Sequence, residues 1–340
     1  MFVRNCWYVA AWDYEVLPDS LFERQILGES VLIYRKNDGE PVALRNSCCH
    51  RNAPLSMGRK EGDCVRCMYH GMKFDATGRC IEIPGQQQIP AKSVVRSYPA
   101  VERNRWIWIW MGESSKADES MIPDTWMLSD PNWRMKPGYM EYEANYLLIT
   151  DNLLDFSHLS FVHENTLGGS ESIATTRASV ERIERGLRVK RRVKDTVPAP
   201  YQRRFGEFGG KVDRWFHYDF LVPGVLLMES GVKDAGNPDD KLDGALLLGS
   251  CQAVTPASET RSHYFFMQSH AFALDDPTVT EALYDGVCVA FDEDRRMIEA
   301  QQRALIGGSL DDSVALAADS ALMQFRRLVQ AMFKSETESA

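Results

Sequence analysis

The sequence lacks several features that mark whole classes of protein. No apolar run approaches the roughly 18 to 20 residues of a membrane-spanning helix, and the first residues carry no hydrophobic signal-peptide segment. A glycine-rich nucleotide fingerprint of the GxGxxG type is also missing. We therefore expect a protein of the cytoplasm, with no membrane partner and no nicotinamide or flavin site of its own.

Basic residues are fewer than acidic residues, and cysteines are few for the length of the chain. The 340 residues carry 39 basic and 48 acidic side chains, a formal net charge of -9, so a nucleic-acid partner is not expected. Eight cysteines are too few for a disulfide scaffold in a chain of this length. Five of them nevertheless fall between Cys48 and Cys80, so their spacing deserves a test for metal binding.

The length suggests two domains, at about 150 residues for each. The first third consists of short strand patterns separated by turn signals, and the apolar strand Trp106–Trp110 closes it. From Glu113 the composition shifts to serine, charged residues and proline, which is typical of a linker. We place the domains at residues 1–115 and 116–340.

The second domain is predicted to be α+β, with an antiparallel sheet flanked by helices. Its strand patterns follow one another directly and do not alternate with helices, as they would in a parallel sheet. The helical patterns cover residues 145–163, 278–305 and 315–334, and the strand patterns cover 178–193, 212–222, 224–232, 244–254 and 261–269.

Two short motifs in the first domain supply a set of metal ligands. Cys48 and His50 form a Cys-x-His pair, and Cys67 and His70 form a Cys-x-x-His pair. Two thiolates and two imidazoles suit a two-iron, two-sulfide (2Fe-2S) cluster, in which the imidazoles raise the reduction potential. Structural zinc is the alternative, because Cys64 and Cys67 form a Cys-x-x-Cys pair. The Cys-x-His spacing is too short for ordinary zinc knuckles and favours the cluster.

These motifs resemble those of a known family. The segments 48–51 and 67–71 are similar to the Rieske motif, although Cys49 stands where the family usually has proline. The whole chain, from Asn5-Cys6-Trp7-Tyr8-Val9-Ala10 to the last helices, resembles the oxygenase components of Rieske non-haem iron monooxygenases. It is most similar to the group of toluenesulfonate methyl-monooxygenase, vanillate O-demethylase and dicamba O-demethylase. The resemblance implies an N-terminal all-β Rieske domain and a C-terminal catalytic domain.

A second group of candidate ligands lies in the first helical pattern of the second domain. His158 and His163 occur in a segment that is apolar nearly all round, so we expect them to be buried and to need a partner or a metal. Five residues correspond to about 140° on an ideal helix, so both can reach one ion only if the helix ends or widens between them. Two hydrogen-bonded core histidines are the alternative.

An oxygen-activating Fe(II) site needs a carboxylate beside two histidines. Asp294 falls inside the apolar stripe formed by Val287, Phe291 and Ile298, whereas Glu293 is predicted to point elsewhere. A structural ion pair with an arginine is the alternative for Asp294, and Asp151 and Glu164 are weaker candidates for the ligand. The family resemblance also implies Asp294 as the third ligand.

The resemblance further implies an assembly. It places Asp155 between His70 of one subunit and His158 of the next, in a head-to-tail homotrimer, and Asn152 is expected to support that network. Electrons would come from a separate NAD(P)H-dependent flavin/iron-sulfur reductase.

The predicted function is that of a terminal oxygenase. It would use O2 to hydroxylate a methyl or methoxy group of a small aromatic acid, the latter leading to O-demethylation. A ring cis-dihydroxylating dioxygenase and a non-catalytic iron-sulfur carrier are the alternatives. Candidate substrate residues are Met228, Gln252, Tyr284 and Asp285, and no group for the substrate anion is identified.

Overall fold

The computed structural model describes residues 1–168, 170–238, 242, 244–308 and 313–338. The chain divides into two compact units. The first contains Met1–Asp124 together with Thr255–Glu259, and the second contains the rest. The predicted boundary near residue 115 lies a few residues before this division, and the return of 255–259 to the first unit was not anticipated.

The first unit is built from strands. Its strands form sheets in the orders β1-β11-β10, β2-β3-β4-β9 and β5-β6-β7-β8. Strand β11 is central in its sheet and buried at every residue, as its unbroken apolar sequence predicts. The bounds are β1 Trp7–Trp12, β2 Phe22–Ile26, β3 Glu29–Arg35, β4 Pro41–Arg45, β5 Arg59–Glu61, β6 Cys64–Arg66, β7 Lys73–Phe74, β8 Cys80–Glu82, β9 Ser97–Tyr98, β10 Ala100–Arg103 and β11 Trp106–Trp110.

The second unit contains a seven-stranded sheet in the order β12-β18-β17-β16-β15-β14-β13 and several helices. The strands are β12 Arg134–Tyr142, β13 Ser179–Ile183, β14 Gly186–Thr196, β15 Val212–Leu221, β16 Val225–Asp234, β17 Leu246–Ser258 and β18 Arg261–His270. The helices are α1 Tyr146–Leu154, α2 Ser172–Thr175, α3 Pro200–Phe205, α4 Pro277–Gly307 and α5 Ser320–Glu338. Short 3₁₀ helices cover Asp13–Glu15, Leu55–Met57, Ser114–Lys116, Glu119–Met121, Trp126–Leu128, Phe156–Ser160 and Ala317–Asp319.

Two parts of the second unit differ from the sequence-based expectation. The proline-containing stretch assigned to a linker includes strand β12, in which Pro137 pairs with Met267 of β18. Proline lacks an amide donor and is tolerated there because β12 is an edge strand. The single strand expected over 178–193 is a hairpin of β13 and β14, in which Ile183 pairs with Gly186.

The inner face of the sheet is covered by the long helix α4. Phe291 packs edge-on against Phe266 of β18 with ring centroids 4.9 Å apart. The Tyr142 hydroxyl donates to the Phe291 carbonyl at 3.2 Å. Asp294 is buried one turn further along the same stripe of α4. The helix therefore carries an acid into a largely apolar interior.

Candidate metal centres and cavity

The two cysteine-histidine motifs form a pair of loops with the same backbone hydrogen bonds. We call residues 48–53 and 67–72 the thiol-imidazole loops. The Cys48 amide donates to Ala53 O at 2.9 Å, and the Cys67 amide donates to Met72 O at 2.8 Å. Each cysteine carbonyl accepts from the residue four positions later, Asn52 in one loop and Gly71 in the other, both at 2.9 Å. The two segments thus share one backbone hydrogen-bond pattern.

The candidate sulfur and nitrogen ligands of these loops differ in burial. Cys48 and Cys67 are buried, whereas His50 and His70 are exposed with ring centroids 4.5 Å apart. Burial raises the pKa of the Cys48 thiol to about 11, so the thiolate form requires a positive partner such as iron. Two inward thiols and two outward imidazoles fit the donor set of a 2Fe-2S cluster with mixed ligands.

The second group of candidate ligands converges in the second unit. The structure brings His158, His163 and Asp294 together, with one ligand atom from each lying within 4.8 Å of the others. Asp294 Oδ1 is 3.1 Å from His163 Nε2 and 3.4 Å from His158 Nε2. His163 and Asp294 are buried, and His158 is partly buried. We call these three residues the His/Asp triad.

A change of helix type lets both histidines reach one point. Helix α1 ends at Leu154, and the 3₁₀ helix Phe156–Ser160 follows, capped by the Asp155 carboxylate, which accepts from the Ser157 amide at 2.9 Å. The 3₁₀ helix ends between His158 and His163, whose ring centroids are 5.2 Å apart. The predicted break is therefore present, although regular helix ends earlier than the sequence pattern suggested.

The outer ring nitrogens of both histidines are held by oxygen atoms. His163 Nδ1 lies 2.7 Å from Glu293 Oε2, and His158 Nδ1 lies 2.6 Å from the Asp155 carbonyl oxygen. Each oxygen favours the tautomer with its proton on Nδ1, which leaves Nε2 free to bind a metal. Thr166 Oγ1 also donates to Glu293 Oε2 at 2.9 Å. The prediction that Glu293 points elsewhere was wrong, because its long side chain reaches His163 from the position next to Asp294 on α4.

The two histidines experience different electrostatic environments. Burial lowers the pKa of His158 despite the opposing effect of Asp294. Burial also disfavours the charged form of His163, but the carboxylates of Asp294 and Glu293 outweigh it and raise the pKa. The same two carboxylates would also stabilise a metal cation bound at Nε2 of this ring.

The remaining candidates in this segment have separate contacts. Asn152 Nδ2 donates to Asp294 Oδ1 at 3.0 Å, so its amide orients the carboxylate. The Asp155 carboxylate accepts from Ser157 Oγ at 2.7 Å and lies 3.6 Å from Arg191 Nη2. Arg191 sits on the buried face of β14 and was not anticipated.

The two weaker candidates for the carboxylate ligand are not part of the triad. The Asp151 carboxylate accepts from Arg326 Nε at 2.9 Å and from Arg326 Nη2 at 2.5 Å, and so joins α1 to α5. Glu164 is exposed. Asp294 is thus the acid that the structure places with both histidines.

A cavity of about 830 Å³, measured with its opening, adjoins the triad. Its walls are mostly aliphatic and aromatic side chains, including Phe156, Phe216, Leu248 and Val287. Such a lining suits a flat apolar ligand with few polar groups. The buried Arg214 also lines the cavity, and sequence analysis did not identify it.

Two of the four candidate substrate residues line this cavity. Met228 and Gln252 do so from the inner face of the sheet. Tyr284 and Asp285 are absent from the lining among the described residues. The reason is helical geometry, since Leu283, Gly286 and Val287 share the face of α4 that meets the cavity, and the two residues between them turn away from it.

No helix in the described parts of the chain has the length and apolar character needed to cross a membrane.

Known families match both units of the chain. The family model of the Rieske 2Fe-2S domain matches residues 6–99. The model of the vanillate O-demethylase oxygenase C-terminal domain matches residues 142–335, more than half of the chain. The first match contains both thiol-imidazole loops, and the second contains the whole His/Asp triad.

Individual relatives align from end to end. The chain is 47% identical over 342 residues to the toluene-4-sulfonate monooxygenase system iron-sulfur subunit of Comamonas testosteroni, with 99% of this chain and 98% of the relative covered. It is 32% identical over 348 residues to the vanillate O-demethylase oxygenase subunit of a Pseudomonas species, with 100% and 97% covered. The crystal structure of dicamba monooxygenase bound to dicamba matches with a TM-score of 0.91 at 30% identity, over 99% of both chains.

These matches confirm the family, the α+β architecture and the two iron cofactors predicted from the sequence. They favour the 2Fe-2S cluster over structural zinc at the first site. The catalytic-domain match also removes the reason to regard the chain as a simple electron carrier. The chain therefore belongs to the Rieske non-haem iron oxygenases of the vanillate O-demethylase type, and it is the oxygenase component of a Rieske monooxygenase system.

Proposed function

We propose that the chain hydroxylates a methyl or methoxy carbon of a small aromatic acid, with O2 and electrons from a separate NAD(P)H-dependent flavin/iron-sulfur reductase. The observation that carries this proposal is the position of the His/Asp triad in the wall of a cavity lined mostly by apolar side chains. The named relatives act on toluene-4-sulfonate, vanillate and dicamba, which supports an aromatic acid as the substrate.

We assign the ligands as follows. Cys48, His50, Cys67 and His70 would hold the cluster, and His158, His163 and Asp294 would hold the mononuclear iron. When bound, the cluster supplies single electrons and the iron activates O2.

The chain's own side chains prepare the second site. Glu293 and the Asp155 carbonyl fix the two imidazole rings, and Asn152 fixes the Asp294 carboxylate. The apolar walls exclude water from the reacting carbon. Met228 and Gln252 are the proposed substrate contacts, and Tyr284 and Asp285 are no longer proposed because they lie outside the lining.

The proposed assembly is a head-to-tail homotrimer acting in the cytoplasm. The exposed ring of His70 is available to a second copy of the chain, and Asp155 would connect it to the neighbour's His158. The eight free cysteines are compatible with a reducing compartment. Within each copy, residues 1–115 would transfer electrons and residues 116–340 would perform the oxygenation.

The test is a substrate screen with a surrogate reductase and NADH. Aromatic sulfonates and methoxybenzoates are supplied with ¹⁸O-labelled O2, and formaldehyde and aryl alcohols are measured. We expect one labelled oxygen atom in each aryl alcohol. In O-demethylation the labelled atom leaves with formaldehyde, and the phenol keeps its original, unlabelled oxygen. Two labelled atoms on a ring would instead identify a dihydroxylating enzyme. Absence of turnover with iron at both sites would contradict the proposal.

A further inference from the structure

We propose that Arg214 is the anchor for the anionic group of the substrate, so that the cavity selects an aromatic carboxylate or sulfonate over its neutral analogue. This inference rests on the proposed function and supplies the anion-binding group that the sequence did not reveal. It depends on three observations: where Arg214 lies, how its guanidinium is paired, and what surrounds it.

Arg214 lies on the inner face of strand β15. The residues of this strand alternate between buried and partly exposed, and Val212, Phe216, Tyr218 and Phe220 share the buried face with Arg214. The arginine is only 1% exposed and lines the same cavity as the His/Asp triad. A cation therefore occupies a position that the strand pattern otherwise fills with apolar or aromatic residues.

The guanidinium is hydrogen-bonded, but its charge has no carboxylate partner in the part of the chain that the structure describes. Nη1 donates to Gly168 O at 2.7 Å and Nη2 donates to Leu167 O at 2.9 Å. Nε is buried and has no hydrogen-bond partner in the described structure. Burial lowers the pKa of Arg214; its interaction with the Tyr201 side chain opposes that effect, but no carboxylate among the described residues does so. A buried charge in this state is costly, and an anion entering the cavity would compensate it.

Other buried arginines of the chain show the contrast. Arg191, on the neighbouring strand β14, lies 3.6 Å from the Asp155 carboxylate. Arg24 is paired with Glu15 at 2.7 Å. Of these three buried arginines, Arg214 alone lines the cavity, and it alone has no acidic partner among the described residues.

A second donor lies on the same cavity wall. Tyr201 of α3 lines the cavity, and its hydroxyl accepts a hydrogen bond from Gln202 Nε2 at 3.1 Å. The hydroxyl proton is then available to a further acceptor. A guanidinium and a phenol together suit the several oxygen atoms of a carboxylate or sulfonate. The apolar remainder of the lining would receive the ring.

The competing explanation is purely structural. The carbonyls bound by Arg214 belong to the turn after His163, and the Gly168 amide donates to the His163 carbonyl at 2.9 Å. Arg214 could therefore act only by fixing this turn. The two roles differ in one respect, because a structural residue affects charged and neutral ligands alike, whereas an anchor affects only the anion.

The experiment measures dissociation constants on the full-length, iron-loaded protein under anaerobic conditions. The probes are 4-toluenesulfonate and 4-methoxybenzoate, each compared with a neutral counterpart, 4-methylphenyl methyl sulfone and 4-methoxybenzamide. The variants are Arg214→Gln, Arg214→Lys and Tyr201→Phe. Lys233→Met is the matched control, because Lys233 is also a buried cation, 3% exposed, but lies outside the cavity lining. Iron content and the thermal midpoint of each variant are recorded.

We expect Arg214→Gln to weaken binding of the preferred anion about 10- to 100-fold, the range for lost hydrogen bonds to a charged group. Binding of the neutral probes and iron content should change little. Arg214→Lys and Tyr201→Phe should each weaken binding of the anion by a smaller factor. Lys233→Met should leave the dissociation constants of all four probes unchanged. Whichever anion depends on Arg214 identifies the substrate as a carboxylate or a sulfonate.

The inference is overturned if the wild type binds neither anion better than its neutral counterpart, or if Arg214→Gln weakens both classes equally. Should Arg214→Gln fail to fold, the same comparison with Arg214→Lys decides between the two roles. A selective loss of anion binding in a protein that oxidises no aromatic acid would support the anchor and refute the proposed reaction. The two failures are therefore distinguishable.

Discussion

The thiol-imidazole loops and the His/Asp triad hold their ligands by different physical means. Each loop supplies a thiol and an imidazole from residues two or three positions apart and is fixed by backbone hydrogen bonds, with His50 and His70 left exposed. The triad joins elements more than a hundred residues apart and fixes them by side-chain contacts from Glu293 and Asn152. Electron entry requires an accessible surface, whereas oxygen chemistry requires exclusion of water. The two sites meet these opposite requirements.

The largest expected effect comes from emptying one site while keeping the other. Asp294→Asn removes the carboxylate from the triad, so we expect loss of the mononuclear iron and of turnover, with the cluster spectrum unchanged. Cys67→Ser should remove the cluster and leave the mononuclear iron bound. Iron and sulfide per chain, with visible absorption, measure both results.

Asp151→Asn is the matched control for the triad variant, because this acid pairs with Arg326 and not with the histidines. It should keep full iron content. If either ligand variant emptied both sites, the two regions would not be independent, and the contrast between them would be wrong.

The second expected effect concerns the side-chain support of the triad. Glu293→Gln weakens the acceptor for His163 Nδ1, so iron affinity should fall about 10- to 100-fold, as for other partners of metal-bound histidines. Asp292→Asn changes the preceding acid of α4, which pairs with Arg295 and Arg296, and should leave iron affinity unchanged. Titration with Fe(II) under anaerobic conditions compares them. Equal affinities in the two variants would mean that the ring of His163 is fixed by packing alone.

The third effect tests the backbone of the loops. Asn52 and Gly71 occupy equivalent positions, both with positive φ, at 57° and 77°. A Cβ on Gly71 would lie 2.7 Å from Pro84 Cγ. Gly71→Asn should therefore destabilise the first unit by about 1–3 kcal/mol and lower cluster content. Asn52→Gly should be tolerated, because glycine adopts this conformation without strain. Cluster loss on heating measures both variants. If the Asn52→Gly variant lost as much cluster on heating as the Gly71→Asn variant, the two loops would not be equivalent.

The same contrast explains how far the sequence could predict the sites. The proposed loop ligands lie two or three residues apart in the chain, so their spacing alone was enough to predict them. Asp294 was predicted as a ligand because it interrupts a stripe of apolar residues that recurs with the period of an α-helix. Arg214 carries a comparable signal, since it interrupts the alternation of apolar residues in β15. A charged residue on a buried face of a strand is informative for the same reason as one on a helix.

Other features had no local signal. The contact between Glu293 and His163 depends on how α4 packs beside the 3₁₀ helix, which no periodicity specifies. Strand β12 was missed because Pro137 argues against a central strand, and only the tertiary structure shows that β12 is an edge. The cavity itself arises between elements distant in sequence. The sequence therefore could not show that Leu283 and Gly286 line the cavity whereas Tyr284 and Asp285 do not.

The smallest expected effect concerns the wall of the cavity beside the triad, a feature that the loops lack. Gly286 lies within α4 and lines the cavity, and a Cβ built on it meets no atom within 4 Å. Gly286→Ala should therefore stabilise the protein by about 0.5–1 kcal/mol, because alanine loses less backbone entropy than glycine on forming a helix. Gly307→Ala is the matched control, since Gly307 ends the same helix, also has open space at its Cβ, and lies outside the cavity lining. Denaturant unfolding should show a gain for both variants, whereas only Gly286→Ala should raise the KM of substrates bulkier than a disubstituted ring. An unchanged KM in the Gly286 variant would mean that the substrate does not reach this wall, and a KM raised equally in the Gly307 variant would mean that the effect is not specific to the cavity.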